Sequence, residues 1–327
     1  MAADADLSWL AVAIALSRRG RGRTAPNPNV GCIVVDAQGR VAGRGWTEPG
    51  GRPHAEAMAL DQAGTAARGG TAYVSLEPCA HHSARGPCCT DLLIEAGVRR
   101  VVVAADDPDP RTNGAGLARL RATGIDVHSG ALAEEARAAM AGFFTRLAYG
   151  RPFVTLKLAT SLDGRIALAD GSSRWITGAA ARAHAHLERA HHELILVGRG
   201  TLEADAPRLD VRLPGLEARA PQRVLLSRGG IAPEGWRRIA APAEIAGLAG
   251  DHLLVEGGAQ AAAAFIAADL VDRLLLYRAP LLIGAGKAAL GDIGLADLAG
   301  AHGRWRLAET RRLGADMLEV YERTRET

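Results

Sequence analysis

The sequence predicts an α/β protein of two domains, residues 1–149 and 150–327. Three observations predict it. At 327 residues the chain exceeds one ordinary domain. Short apolar runs alternate with helical patterns along its length, the signature of layered α/β folds. Gly150-Arg151-Pro152 interrupts that alternation, and a second alternating series follows it.

In the first half, residues 7–17 read as an amphipathic helix, ended by Asn27-Pro28-Asn29. Residues 30–35 are an apolar strand, turned at 36–39 into a returning strand at 41–46. A helix is expected over 54–62 and a strand over 71–76. Then come a helix at 88–96, a strand at 100–104, a helix at 116–122, a strand at 125–127 and one long helix at 132–147. In the second half, strands are expected at 153–159, 193–197, 223–226, 252–255 and 273–278. Helices are expected at 178–190 and 259–268, and residues 229–250 read as irregular.

Composition narrows the function. The formal charge is only +3 and aromatics are 4%. No basic run with interleaved aromatics occurs, so no nucleic-acid surface is expected. The apolar stretch 10–16 follows acidic residues and precedes Arg18-Arg19, the reverse of a signal peptide. No run approaches the ~20 residues that cross a bilayer. The default is therefore a soluble cytoplasmic protein without a membrane partner. Lys157 and Lys287 are the only lysines.

Three of the four cysteines, Cys79, Cys88 and Cys89, fall in one window beside histidines, a pattern that suits a metal better than disulfides. His54, Cys79 and Cys88 supply one imidazole and two thiolates, three ligands for one zinc ion per chain. The fourth position stays open for water, as in a catalytic site. Glu56 stands two residues past the histidine, as in the His-x-Glu half of zinc deaminases. There it can shuttle a proton between an activated water and a leaving amine. A closed site using Cys89, His81 or His82 as fourth ligand is the alternative, but it has no use for Glu56. Cys89 adjoins Cys88 at a helix start, points elsewhere and reads as a bystander. Cys32 reads as core.

The second half has no GxGxxG after a strand. Val255-Glu256-Gly257-Gly258 places two glycines between a strand and a helix, where backbone N–H groups can meet a phosphate.

These motifs together resemble a known family. Residues 27–32 (Asn27-Pro28-Asn29-Val30-Gly31-Cys32), His54-Ala55-Glu56, residues 76–82 around Pro78-Cys79, and Pro87-Cys88-Cys89 are similar to the bifunctional deaminase/reductase of riboflavin biosynthesis. Past the linker, residues 157–165, Arg174-Trp175-Ile176-Thr177 and Val255-Glu256-Gly257-Gly258 resemble its reductase half. The resemblance implies a cytidine-deaminase-like three-layer domain followed by a dihydrofolate-reductase-like domain. The first would deaminate a pyrimidine ribosylamino phosphate. The second would use NADPH to reduce the ribosyl chain to ribityl.

By the same resemblance, Asn29 would contact the pyrimidine and His81 the substrate, with residues 107–110 bordering the pocket. Ala159, Trp175, Thr201, Asp205, Ser227 and Gly258 would bind NADPH, with Ser227 and Arg228 near its 2′-phosphate. Ser173, Arg189, Leu209, Arg212 and Glu256 would hold substrate, the two arginines as phosphate clamps. Asp163 or Asp205 would assist proton delivery. Relatives of this kind are commonly homodimers or homotetramers.

The chain departs from the family pattern at Thr47, where His is usual, and at Asp109, where Asn is usual. In the Cys79–Cys88 loop, Arg85 is shifted by one place. Leu226-Ser227 replaces an Asp-Ser pair. The stretch before His252 is short, so a strand and helix are expected to be missing beside the adenosine. The alternative functions are a deaminase of another free pyrimidine or nucleoside with a degenerate reductase-like module, and a non-enzymatic zinc-stabilised interaction protein.

Overall fold

The computed structural model describes residues 2–325. The chain divides into two compact units between Gly150 and Arg151. Among the described residues, no helix is long and apolar enough to cross a membrane.

The first unit begins with helix α1 (Ala2–Ser17). The hairpin β1 (Gly31–Val35) and β2 (Val41–Trp46) follows, then α2 (Ala55–Ala63), β3 (Thr71–Leu76), α3 (Cys89–Glu95), β4 (Arg100–Ala105), α4 (Ala115–Ala122), β5 (Asp126–Ser129), α5 (Ala133–Ala139) and α6 (Ala141–Tyr149). The sheet order is β2-β1-β3-β4-β5. β1 runs antiparallel to both neighbours, and β3, β4 and β5 are parallel. The central strands read as unbroken apolar runs because both faces are covered.

Helix α2 lies unusually close to β2, and two glycines make this possible. A Cβ at Gly43 would stand 2.0 Å from the Ala59 carbonyl oxygen, and one at Gly45 would stand 2.2 Å from that of Ala55. Residues two apart on a strand face the same side, so the pair forms one smooth seat for the helix.

The spacing predicts a single helix over 132–147. The structure breaks it at Met140, whose φ of −111° leaves the helical region. Asn29 supplies the reason. Its side-chain amide donates to the carbonyls of Ser17 and Ala139, the last residues of α1 and α5, at 3.1 Å each. Two helix ends that would otherwise carry unsatisfied carbonyls are closed by one amide.

The second unit comprises β6 (Phe153–Thr160), β7 (Arg165–Ala167), α7 (Ala179–Ala190), β8 (Leu194–Gly198), α8 (Arg199–Asp205), β9 (Gln222–Leu226), β10 (Arg237–Ile239), β11 (His252–Val255), α9 (Ala259–Ala267), β12 (Arg273–Arg278), β13 (Lys287–Ala288), β14 (Trp305–Leu313) and β15 (Asp316–Arg323). Its main sheet runs β10-β9-β8-β11-β6-β12-β15-β14, and β13 pairs with β7 separately. The strands from β10 to β12 are mutually parallel, and β15 and β14 close the sheet antiparallel. Val154, Leu156, Leu194, Leu196, Leu253, Val255 and Phe265 fill the core. Between β9 and β11 the chain forms only three-residue β10 and a 3-10 turn.

The terminal hairpin β14–β15 was not expected from sequence. The interior of β14 is exposed along its whole length and carries Arg306, Glu309, Arg311 and Arg312. It is held by backbone pairing to β15, which leaves no apolar alternation to read.

Gly45→Ala should overpack the α2 seat and destabilise the first unit by roughly 1–3 kcal/mol. Urea unfolding checks this, with the second unit's transition as internal reference.

Candidate active sites

The first site sits where three local structures end together. His54 is the N-cap of α2, in extended conformation. Cys79 lies three residues beyond β3, and Cys89 is the first residue of α3. The ligand atoms of His54, Cys79 and Cys89 all lie within 4.8 Å of one another. His54 Nδ1 is 3.3 Å from Cys89 Sγ and 3.7 Å from Cys79 Sγ. Tetrahedral zinc with sulfur and nitrogen ligands holds them roughly 3.5–3.8 Å apart, so this donor set fits the ion in chemistry and spacing. A hydrogen bond from the Cys89 thiol, opposed by burial, holds the Cys79 thiol down to about 4. Glu56, in the first turn of α2, is 3% exposed, and burial pushes its carboxyl above the usual range. A buried acid beside an open metal position is equipped to take and return a proton.

Two side chains stand otherwise than the expected roles of Cys88 and Asn29 would place them. The side chain of Cys88 does not join the cluster. Cys88 is the N-cap of α3, and its thiol donates to the Cys79 carbonyl at 3.1 Å, with Arg119 Nη1 3.8 Å from the sulfur. Cys89, read as a bystander, stands beside His54. The two cysteines do point apart, but the helix turns the second one inward. Asn29 likewise cannot face a substrate, being 2% exposed and engaged with two helix ends. Asn27, two residues earlier, is the asparagine at the site. Its Nδ2 lies 2.9 Å from His54 Nε2 and donates to Gly51 O at 3.1 Å.

Buried Glu77 ties the surrounding loops together. Its Oε1 accepts from the backbone N–H of Gly116 at 3.0 Å and Leu117 at 3.3 Å. Its Oε2 accepts from Gly114 at 2.9 Å and Asp107 at 3.4 Å. The same loop carries Thr112, whose hydroxyl is 3.5 Å from His81 Nδ1. Arg85, although displaced by one place in sequence, reaches Gly50 O at 2.5 Å and Asn27 Oδ1 at 3.5 Å. Thr47 is buried, and its hydroxyl accepts from the Val30 N–H.

The second site is a cavity of about 1380 Å³ in the second unit. Ala159, Gly198, Leu226 and Glu256 line it, so it opens at the C-terminal ends of β6, β8, β9 and β11. That is where open parallel sheets receive ligands. Ala159, Trp175, Thr201, Asp205, Ser227, Gly258, Ser173, Arg189, Arg212 and Glu256 all face it. At the glycine turn a Cβ on Gly257 would stand 2.5 Å from that of Ala261, and the Gly258 N–H donates to Thr201 Oγ1 at 3.0 Å. Helix α9 starts at the next residue. A cavity of this size with a glycine turn at a helix N-terminus fits a phosphate-bearing dinucleotide.

The polar centre of this cavity is Glu256. Arg189 grips it with two bonds, Nε to Oε1 at 2.7 Å and Nη2 to Oε2 at 2.9 Å, and Lys157 Nζ lies 3.7 Å from Oε2. Burial alone would raise this carboxyl; Lys157 and Arg189 overcome it and hold it down to about 2. Arg189 also donates from Nη1 to Asp210 O at 2.9 Å. Its fork is therefore engaged with protein, whereas Arg212 stays half exposed beside Asp210.

Known proteins match both halves of the chain. Residues 4–105 match the cytidine and deoxycytidylate deaminase zinc-binding region, and residues 152–237 and 241–318 match the RibD C-terminal domain. The riboflavin biosynthesis protein RibD of Mycobacterium tuberculosis is 40% identical over 94% of this chain and 95% of its own length. That of Escherichia coli is 38% identical over 95% of this chain and 98% of its own length. The chain belongs to the RibD family. Among solved structures, Acinetobacter baumannii RibD superposes with a TM-score of 0.88 at 34% identity, covering 98% of this chain and 99% of its own. The Thermotoga maritima diaminohydroxyphosphoribosylaminopyrimidine deaminase/5-amino-6-(5-phosphoribosylamino)uracil reductase gives 0.89 at 32% identity, covering 99% of this chain and all of its own. The chain is a two-domain deaminase/reductase of riboflavin biosynthesis that takes zinc in one domain and NADPH in the other.

Some residues stand apart from the expected roles. Leu209 packs into the core with Ile195, Val197 and Leu254 and presents no side chain to the cavity. Asp163 accepts from Ser161 Oγ and from the N–H groups of Ile283 and Gly284, which pins a loop. Lys157 was missed because it lies inside an apolar strand. Its signal was its rarity, for both lysines of the chain line this cavity.

Cys89→Ser should reduce bound zinc well below one per chain, while Cys88→Ser should retain it. Metal analysis of the two purified variants checks the register of the site.

Proposed function

We propose that His54, Cys79 and Cys89 hold the zinc of the deaminase centre and that Glu56 is its proton shuttle. The substrate is 2,5-diamino-6-ribosylamino-4(3H)-pyrimidinone 5′-phosphate, and the 2-amino group leaves as ammonia. The observation that carries this reading is the convergence of the three ligand atoms beside one buried carboxylate. Bound zinc lowers the pKa of a water and so provides a nucleophile at neutral pH. Glu56 takes the proton that water loses and delivers it to the departing nitrogen. A raised carboxyl pKa suits both halves of that transfer. Asn27 packs against the far nitrogen of the His54 ring. His81, held near Thr112, borders the substrate side.

In the second domain the deaminated product enters the cavity beside Glu256. Bound NADPH supplies a hydride, and the protein supplies its orientation. Reduction at C1 of the ribosyl group, with opening of the bond from C1 to the ring oxygen, would need a proton delivered to that oxygen. Lys157 Nζ, 3.7 Å from Glu256 Oε2, is the amine in this wall. Arg189 fixes Glu256, and Arg212, paired with Asp210 at the exposed rim, is the guanidinium that meets the substrate phosphate. None of the four cysteines is disulfide-bonded, which supports the reducing cytoplasm as the working compartment.

Glu56→Gln should lower ammonia release by roughly 10²–10⁴-fold with zinc near one per chain. NADPH oxidation on the deaminated intermediate should be unchanged. Scoring ammonia and nicotinamide absorbance separately tests both halves, and full ammonia release by the variant would overturn the assignment of Glu56.

A further inference from the structure

We propose that Arg199 is the residue that selects NADPH over NADH in the second domain, by pairing with the phosphate on the adenosine ribose together with Ser227 and Arg228. The proposal rests on the reductase reading above. The order of strand ends fixes the direction of the cofactor. Across the sheet the sequence of neighbours is β6, β11, β8, β9. Lys157 and Glu256, the polar centre of the reaction, belong to β6 and the end of β11. The phosphate turn at Gly257-Gly258 follows β11 and bonds to Thr201 on α8, which follows β8. A dinucleotide with its pyrophosphate at that turn and its nicotinamide toward Lys157 must extend its adenosine over the ends of β8 and β9. Two strand spacings separate β11 from β9, roughly 10 Å, a reach that suits the distance from pyrophosphate to adenosine ribose.

At that end stand Arg199, the first residue of α8, and Ser227-Arg228, just past β9; all three line the cavity. The Arg199 guanidinium is already positioned. Nε donates to Ser227 Oγ at 3.2 Å, and Nη2 donates to Gly229 O at 3.0 Å. Nη1 donates to no described residue, and the nearest carboxylate, on Glu203, is exposed and 3.8 Å from Nε. A guanidinium fixed on two sides with a nitrogen left over can take a dianionic phosphate with little ordering cost. Sites for the unphosphorylated cofactor instead place a carboxylate on the ribose hydroxyls near a strand end. Here that strand ends in Leu226-Ser227-Arg228.

A purely structural Arg199 would only buttress residues 227–231, and binding of fragments separates the two roles without turnover. Titration calorimetry on the full chain would compare adenosine 2′,5′-bisphosphate with 5′-AMP for wild type, Arg199→Ala and Arg199→Lys. Arg199→Ala should weaken the bisphosphate roughly ten- to a hundredfold and leave 5′-AMP within about twofold, and Arg199→Lys should recover part of the loss. The KM for NADPH should rise while that for NADH holds. Equal weakening of both fragments would assign Arg199 to loop support, and an unchanged bisphosphate affinity would remove it from the site; either overturns the proposal. If wild type binds neither fragment while its deaminase still works, the reductase reading fails and the selection role with it.

Discussion

A buried carboxylate with backbone partners organises the deaminase domain. Glu77 follows β3 directly and precedes Pro78-Cys79, so its position and that of the sulfur proposed to hold zinc are set together. Its oxygens accept from four backbone N–H groups on the segment from Asp107 to Leu117. Leaving such a charge unsatisfied in the interior costs several kcal/mol. The loop beside His81 and the start of α4 are therefore held to the strand that carries Cys79. Gly116 allows the approach, since a Cβ there would meet Pro78 O at 2.4 Å.

The reductase domain also builds around a buried carboxylate at a strand end, with different partners. Glu256 is met by the side chains of Arg189 and Lys157 rather than by backbone dipoles. Backbone donors make a fixed scaffold, whereas side-chain cations leave charge and protons available to a ligand. The two acids occupy similar places in their sheets but serve different ends, one holding loops and the other lining the reaction space.

The apolar strands were legible because burial on both faces leaves an unbroken run. The chemistry of each site was legible in residue type but not in register. Sequence alone does not say which of the adjacent Cys88 and Cys89 turns its sulfur toward His54 at the helix start. Asn27 and Asn29 posed the same problem two residues apart, and the structure gives the second a purely structural duty at two helix ends. Strand β14 was invisible because backbone pairing to β15, not side-chain pattern, defines it, although β15 itself alternates with Leu318 and Val320 inward. The split of α5 from α6 depended on a hydrogen bond from 110 residues away.

The near absence of lysine has a practical side. Thirty-seven arginines carry the rest of the basic charge and do not react as amines at neutral pH, whereas both lysines face one cavity. Side-chain amine chemistry on this chain is thus confined to a single place. Acylating probes would act there as occupancy reporters: the strand lysine, Lys157, is screened by Glu256 and by whatever fills the cavity, and Lys287 stands exposed as its reference.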